Sequence, residues 1–171
     1  MKLEGKNIAL FIADMYEDIE FWYPYLRMKE EGAETTIVGA KAEKYTGKKC
    51  LPAEADKSID DVSADDFDAL IIPGGYSPDH MRRTPAMAKF VKSMHDKGKL
   101  IAAICHAPWM LASAGILEGK KLTSFFSIQD DLKNAGAEWV DEEVVVDGNI
   151  ITSRNPNDLP VFCRTIIKQL S

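Results

Sequence analysis

Short apolar runs that alternate with longer helical segments constrain the fold of this chain more than any other feature. The runs Asn7–Ala13, Phe67–Ile72 and Leu100–Ile104 are almost unbroken in apolar residues, which is typical of parallel strands buried on both faces. Segments between them, such as Thr84–Lys97, have the periodicity of amphipathic helices. This alternation predicts an α/β fold with a mostly parallel sheet and helices on both faces.

Weaker patterns extend the same alternation along the chain. We expect a helix over Asp18–Glu31, in which Ile19, Trp22, Tyr23 and Leu26 are spaced for one face, and an exposed hairpin within Lys44–Lys57. The other predicted elements are strands at Glu34–Gly39, Leu122–Ser124, Val144–Val146 and Ile150–Thr152, and helices at His106–Gly115, Ile128–Ala135 and Asn157–Leu170. Ligands of such sheets bind at the carboxyl ends of the strands.

Length and charge narrow the class of protein. The chain has 171 residues, the size of one domain, so we expect a single domain over residues 1–171. The net charge is −6 and the basic residues are scattered, which argues against specific nucleic-acid binding. No apolar run is long enough for a membrane span and no signal peptide is recognisable, so the sequence predicts a cytoplasmic protein.

The three cysteines, Cys50, Cys105 and Cys163, are widely spaced and form no CxxC pair. They do not suggest a disulfide framework, and with only three histidines in the chain they do not suggest a zinc site. We therefore expect free thiols, no metal and no cofactor. Cys50 and Cys163 have no setting that suggests chemistry.

Cys105 lies where an apolar strand meets a helix with no loop between them. Such a joint turns the chain abruptly and presents its side chain at the sheet edge, as in a nucleophile elbow. A helix N-terminus favours the thiolate, and the N–H of His106 could help to stabilise an oxyanion. The alternative is a buried cysteine beside a capping histidine.

Two other segments reach the same edge. Gly74 and Gly75 follow a strand, and the N–H of Gly75 could be a second oxyanion donor, although turns after strands often contain glycine for backbone reasons alone. Glu17 could turn inward and share a hydrogen bond with the thiol. Alternatively, Glu17 and Asp18 could be first-turn acids that suit the helix dipole.

Six motifs along the chain together resemble the PfpI family of intracellular cysteine hydrolases. They are E-D-x-E (Glu17–Glu20), D-A-L-I-I-P-G-G (Asp68–Gly75), I-C-H-A-P (Ile104–Pro108), D-D-L-x-N-A-G-A-x-W-V-D (Asp130–Asp141), E-V-V-V-D-G-N (Glu143–Asn149) and T-S-R-x-P-x-D-L (Thr152–Leu159). The motifs cover nearly the whole chain in order. The resemblance implies a flavodoxin-like three-layer sandwich of the class I glutamine amidotransferase type.

The resemblance also implies roles for individual residues. Cys105 matches the nucleophile, His106 its acid–base partner, and Glu17 the glutamate that hydrogen-bonds the thiol. The backbone N–H groups of Gly75 and His106 match the oxyanion hole. Asp79 falls where many members have a glutamate that reaches the histidine of a neighbouring subunit, which implies a homodimer or a higher homo-oligomer.

Two positions depart from the family pattern. Ala107 follows the histidine where glycine is usual, and its methyl group is expected to narrow the pocket. Phe125 stands where many members have a tyrosine, so that proton donor is missing. Both departures weigh against strong peptidase activity more than against the thiol site.

The leading functional hypothesis is a cysteine-dependent stress-response enzyme of the deglycase or glyoxalase type. Its substrates would be small carbonyl compounds, such as methylglyoxal, or glycated proteins and peptides, with release of lactate or glycolate. Peptide hydrolysis of the PfpI type is the alternative enzyme hypothesis. A redox-sensing chaperone, in which Cys105 is oxidised without turnover, is the alternative from another class.

Overall fold

The protein, described by a computed structural model that covers residues 1–171, is built on a seven-stranded sheet. The strands are β1 (Asn7–Ile12), β2 (Glu34–Gly39), β3 (Lys44–Thr46), β4 (Pro52–Glu54), β5 (Lys57–Ser58), β6 (Ala69–Ile72), β7 (Leu100–Ile104), β8 (Lys121–Leu122), β9 (Glu138–Trp139), β10 (Val144–Asp147) and β11 (Ile150–Ser153). The α-helices are α1 (Asp18–Glu30), α2 (Ser77–Met81), α3 (Pro85–Asp96), α4 (Pro108–Ser113), α5 (Gln129–Asn134) and α6 (Leu159–Leu170).

The order of strands in the main sheet is β10-β11-β7-β6-β1-β2-β5. Every neighbouring pair is parallel except β10 and β11, which form an antiparallel hairpin at one edge. The mostly parallel sheet predicted from the apolar runs is confirmed. Since β1, β6 and β7 are adjacent, the segments that follow them emerge side by side at one edge of the sheet.

Helices cover both faces of the sheet, as expected. Helices α1 and α6 pack on one face, over a core that includes Phe21, Met28 and Phe162. Helices α3 and α4 cover the other face, where Phe90 and Met110 are buried. These two cores hold the strands rigidly and so fix the position of the edge where the site lies.

Helix α1 begins at Asp18 as predicted, but three of the four residues that marked its apolar face point outward, and only Trp22 packs against the core. Ile19, Tyr23 and Leu26 are 52%, 40% and 59% exposed. The inward face instead has Phe21, while Glu20 is fully buried. The apolar spacing identified the helix correctly, but it could not indicate that a carboxyl side chain faces the interior.

The segment after β2 forms the predicted hairpin, made by strands β3 and β4. Strands β5 and β9 and helix α2 were not predicted, because they have two to five residues and leave no periodic signal in the sequence. No helix in the structure is both long enough and apolar enough to cross a membrane.

Candidate active site

Cys105 occupies the sharp turn between β7 and α4, with a positive φ of 63°. A non-glycine residue in this conformation costs on the order of 1–3 kcal/mol and needs support from its surroundings. That support includes two backbone hydrogen bonds, from Cys105 N to Ser153 O (3.0 Å) and from Phe125 N to Cys105 O (2.9 Å). The sharp turn predicted at Cys105 is present, although helix α4 begins at Pro108 rather than at His106.

Two backbone N–H groups, those of Gly75 and His106, face the sulfur of Cys105 and partly oppose the rise in the thiol pKa that burial causes. Neither N–H donates to a backbone carbonyl. The elbow and the turn after β6 therefore direct two free donors at one point, the arrangement that an oxyanion needs.

Glycine is required at both positions of the turn after β6. Gly75 has a φ of +73°, and a Cβ atom there would lie 2.4 Å from the carbonyl oxygen of Met15. A Cβ atom on Gly74 would lie 2.7 Å from Cβ of Cys105 and 2.6 Å from Oε2 of Glu20. The two glycines thus allow three segments to meet around the thiol.

Glu20, rather than Glu17, is the carboxyl group that lies beside the Cys105 thiol, since both side chains pack against Gly74. Its side chain is fully buried, Oε2 accepts a hydrogen bond from Gly74 N (2.8 Å), and Oε1 has no hydrogen-bond partner in the protein. Burial raises the pKa of Glu20 to about 8, and the charge of nearby Glu17 raises this pKa further, against the opposing effect of the Gly74 N–H. Glu20 is therefore mostly protonated at neutral pH.

The expectation that Glu17 contacts the thiol is wrong for this structure. Glu17 precedes the first turn of α1, caps no helix N–H, and its Oε2 lies 3.1 Å from Nζ of Lys48. The reason is backbone geometry, because Glu17 lies just before the helix with extended angles (φ −71°, ψ 116°), whereas Glu20 lies in the first turn of α1 and is buried. Both acids belong to the E-D-x-E motif, and only the structure shows which one points inward.

Burial raises the pKa of the Cys105 thiol, and a charge on Glu20 would raise this pKa further. The side chain is only 8% exposed. The low pKa and high exposure expected from a helix N-terminus are therefore not found. Cys50 is the exposed cysteine, while Cys163 is buried.

His106 contacts the thiol directly, with Nδ1 at 3.2 Å from Sγ of Cys105. Its other nitrogen, Nε2, lies 3.4 Å from Oγ of Ser127, and its ring stacks on Phe125 at a centroid distance of 5.1 Å. Burial, followed by the charge of Lys48, lowers the pKa of His106. A neutral imidazole is therefore available to accept a proton from the thiol.

The two departures from the family pattern lie in different places. Phe125 forms a wall of the cavity against His106, where a tyrosine would have brought a hydroxyl group. Ala107 is fully buried in the core on the other face of the sheet and does not line the cavity, so its methyl group does not narrow the pocket as expected.

Asp79 lies within α2 and is 46% exposed, and its carboxylate pairs with Arg83 in the next turn. Within one chain, the partner of His106 Nε2 is Ser127.

These groups open into a cavity of about 400 Å³. It is lined by Glu17, Glu20, Lys48, Gly75, Tyr76, Cys105, His106, Phe125, Ser127 and Pro156. The volume is near the lower limit for small-molecule pockets. No group of three His, Cys, Asp or Glu side chains is placed to hold a metal ion.

The sequence reasoning missed five residues of this cavity, among them Glu20, Lys48 and Ser127. Glu20 was part of the quoted E-D-x-E motif, but nothing in the sequence distinguished it from Glu17. Ser127 comes directly after the Phe125-Phe126 pair, and Lys48 lies in the segment that was predicted as an exposed hairpin. For these two residues no pattern in the sequence indicates a place beside Cys105.

A match to the DJ-1/PfpI family extends over residues 6–169. The chain belongs to this family. Among its relatives, Deglycase PfpI of Pyrococcus furiosus is 44% identical over 96% of this chain and 99% of its own length. Protein/nucleic acid deglycase 2 of Escherichia coli is 44% identical over 97% of this chain and 98% of its own length. The Putative cysteine protease YraA of Bacillus subtilis is 43% identical over 97% of this chain and 99% of its own.

Solved structures give the same result for the fold. Drosophila melanogaster DJ-1beta superposes with a TM-score of 0.91 at 33% identity, over 96% of this chain and 90% of that one. A two-domain protein of Anabaena variabilis with DJ-1/ThiJ/PfpI-like and ferritin-like domains has a TM-score of 0.95 at 44% identity. The superposition covers 96% of this chain and 48% of that longer protein. The expected family and the flavodoxin-like sandwich are both confirmed.

Proposed function

We propose that this protein is a cysteine-dependent deglycase that removes small dicarbonyl adducts from amines and converts the free dicarbonyl to an α-hydroxy acid. The observation that carries the proposal is a thiol in contact with a neutral imidazole, with a buried, protonated carboxyl group beside it in the same small cavity. Relatives named deglycases support the same activity.

In the first step the sulfur of Cys105 adds to the aldehyde carbon of methylglyoxal, and the thiol proton passes to Nδ1 of His106. When the aldehyde is held as an adduct of an amine, the C–S bond forms while the C–N bond breaks, and the amine leaves with a proton. The oxygen that gains negative charge lies toward the N–H groups of Gly75 and His106.

In the second step protonated Glu20 gives its proton to the neighbouring ketone oxygen, while neutral His106, which has returned the thiol proton to the hemithioacetal oxygen, takes the proton of the former aldehyde carbon. An enediol forms, His106 delivers its proton to the second carbon, and Glu20 recovers a proton from the hydroxyl group that becomes the thioester carbonyl. The first carbon is oxidised and the second is reduced, so no external oxidant is needed. The product on the enzyme is a thioester of lactate. Water, activated by His106, then breaks the C–S bond and releases lactate together with the free thiol.

The protonation state of Glu20 suits this role. A carboxyl group with a pKa of about 8 still holds its proton at neutral pH and can return it to a substrate carbon or oxygen. Glu17 does not fit this role because its carboxylate is engaged by Lys48.

The cavity favours a small substrate over an extended peptide. At about 400 Å³ it holds a dicarbonyl compound or the modified end of a side chain. A peptidase would need an open groove along the surface, and the half-enclosed pocket at Cys105 favours the deglycase.

The assembly and the location belong to the same proposal. The outward apolar stripe of Ile19, Tyr23 and Leu26 on α1 supports a homodimer, since contiguous exposed apolar patches often mark protein contacts. In such an assembly Asp79 would leave Arg83 and approach His106 of another subunit. Three free cysteines suit the reducing cytoplasm.

Lactate release from methylglyoxal, and from arginine already modified by methylglyoxal, tests the proposal. The wild type is expected to release lactate from both, Cys105→Ser from neither, and Cys50→Ser at the wild-type rate. Lactate release that survives in Cys105→Ser would refute the proposed chemistry. Absence of release in the wild type, with protection of other proteins after peroxide treatment, would favour the chaperone hypothesis instead.

A further inference from the structure

Only one side chain that lines the cavity carries a positive charge at neutral pH. The other ionisable groups there are two carboxyl groups, a thiol, the phenol of Tyr76 and an imidazole whose pKa is lowered by burial. The single cation is Lys48, which lies 5.6 Å above the ring of Tyr76 at the mouth of the cavity. None of the steps proposed above uses it.

Hydrogen bonds to the backbone around Lys48 fix the position of this residue. The tip of the β3–β4 hairpin, residues 47–51, is anchored by the buried carboxylate of Asp18, which accepts hydrogen bonds from Lys49 N (2.8 Å) and Leu51 N (3.1 Å). The backbone N–H of Lys48 donates to Tyr16 O at 2.8 Å. A Cβ atom at Gly47 would lie 2.5 Å from Oδ1 of Asp18, so the close approach requires glycine.

Lys48 forms an ion pair with Glu17 that another carboxylate could replace. Its Nζ lies 3.1 Å from Oε2 of Glu17, and the two side chains are 33% and 16% exposed. Ion pairs that water can reach contribute little, typically below about 1 kcal/mol. An ammonium group has three donors, so Lys48 can bind a second carboxylate beside that of Glu17 or in place of it.

We propose that Lys48 is a specificity-determining residue that binds a carboxylate on the ligand held at Cys105. The substrates it favours are small carbonyl compounds that carry a carboxylate beside the reacting carbon or acquire one in the reaction. Methylglyoxal belongs to this class, because the α-hydroxy acid formed from it in the proposed function has a carboxylate. The inference rests on the thiol chemistry proposed for Cys105, but its test does not depend on turnover.

The competing explanation is that Lys48 acts on the thiol alone, as a positive charge that favours the thiolate. This explanation predicts that loss of Lys48 slows every reaction of Cys105 by the same factor. Recognition of a carboxylate predicts a loss that depends on the charge of the reagent. Two alkylating reagents of nearly equal size, one anionic and one neutral, separate these predictions.

The experiment measures the rates at which iodoacetate and iodoacetamide alkylate Cys105. In each reaction the sulfur forms a bond to the CH₂ carbon, the C–I bond breaks and iodide leaves. All proteins carry Cys50→Ser to remove the exposed thiol, and labelling of the Cys105 peptide is followed by mass spectrometry at constant pH and low salt. The quantity compared is the ratio of the iodoacetate rate to the iodoacetamide rate.

Lys48→Met is expected to lower this ratio about fivefold, the effect of one partly exposed charge pair. Glu17→Gln is expected to raise it, because the competing carboxylate is gone. Lys48→Arg should keep most of the ratio. Lys49→Met is the matched control, since Lys49 lies next in the same hairpin tip but does not line the cavity, and its ratio should equal the wild-type ratio.

Equal slowing of both reagents in Lys48→Met would overturn the inference and leave Lys48 as a charge that acts on the thiol alone. An equal fall of the ratio in Lys49→Met would also overturn it, because a general field of the surface would then explain the preference. The wild type could release no lactate while the variants still show the expected differences in alkylation ratio. That result would refute the deglycase function but support the carboxylate site at Lys48.

Discussion

Cys105 and Cys163 are both buried beneath the same face of the sheet, yet only one of them has the surroundings of a nucleophile. Burial raises the pKa of both thiols, and for Cys163 to about 12. Cys163 lies within α6 among apolar side chains. Cys105 instead meets two N–H groups, an imidazole and a carboxyl group at the floor of a cavity. What distinguishes a reactive cysteine here is its polar neighbours and its access, not the degree of burial.

The largest expected effect separates the two thiols directly. Cys105→Ser is expected to lower lactate release by at least about 10³-fold, because the nucleophile of a covalent mechanism is lost. Cys163→Ser should leave turnover unchanged and lower the free energy of unfolding by about 1–3 kcal/mol, since a hydroxyl group replaces a buried thiol. A large loss of turnover in Cys163→Ser, with the protein still folded, would contradict the comparison.

The surroundings of Cys105 can be disrupted without touching the thiol. Gly75→Ala is expected to lower the free energy of unfolding by about 3 kcal/mol, because the left-handed conformation and the contact with the carbonyl of Met15 both oppose a Cβ atom. Gly98→Ala is the control, since Gly98 has a similar φ of +68° with nothing near its Cβ position. It should cost only about 1 kcal/mol. Urea unfolding measures both, and equal losses would show that the close approach at Gly75 does not matter.

The raised pKa of Glu20 makes the stability depend on pH. The folded state holds a proton that the unfolded chain releases between pH 4.5 and about 8, so the Glu20 contribution is complete below this range and is lost as the pH rises through it. Glu20→Gln has no titrating group at this position, so its free energy of unfolding does not fall with pH for this reason. The difference in free energy of unfolding, variant minus wild type, should rise with pH by up to about 1.4 kcal/mol per unit. A difference that stays constant from pH 5 to 8 would mean that Glu20 titrates normally.

The smallest effect concerns His106. The charge of Lys48 contributes to its lowered pKa, after burial. Lys48→Met should therefore raise the pKa of His106, while Lys49→Met should not change it. NMR titration of the imidazole resonances measures both. A fall in the pKa of His106 in Lys48→Met would contradict the claim that the ammonium group of Lys48 lies close enough to act on the imidazole.

The fold was predictable because its main signals are local and repeated. The buried strands β1, β6 and β7 are apolar runs, and their adjacency follows from the parallel topology. The strand-to-helix joint at Cys105 was also predictable, since the change of pattern occurs within one residue. Short elements such as α2 left no signal of this kind.

The carboxyl partner of the thiol could not be predicted from the spacing alone. Glu17 and Glu20 stand in one motif, and the choice between them depends on where α1 begins, because Glu17 has an extended backbone before the helix and Glu20 lies within its first turn. The apolar face of α1 gave no guide, because Ile19, Tyr23 and Leu26 lie outward. Lys48 reaches the cavity only because buried Asp18 binds the hairpin tip, a contact between residues about thirty positions apart.

The central claim is that Glu20, and not Glu17, works with the Cys105 thiol. Lactate release from methylglyoxal by Glu20→Gln and by Glu17→Gln, both checked for folding, tests it most directly. We expect turnover to fall by about 10²-fold or more in Glu20→Gln, because a group that carries the proton is lost, and by less than about tenfold in Glu17→Gln, which loses only a weak, partly exposed ion pair. The reverse order, with Glu17→Gln inactive and Glu20→Gln close to the wild type, would contradict the account.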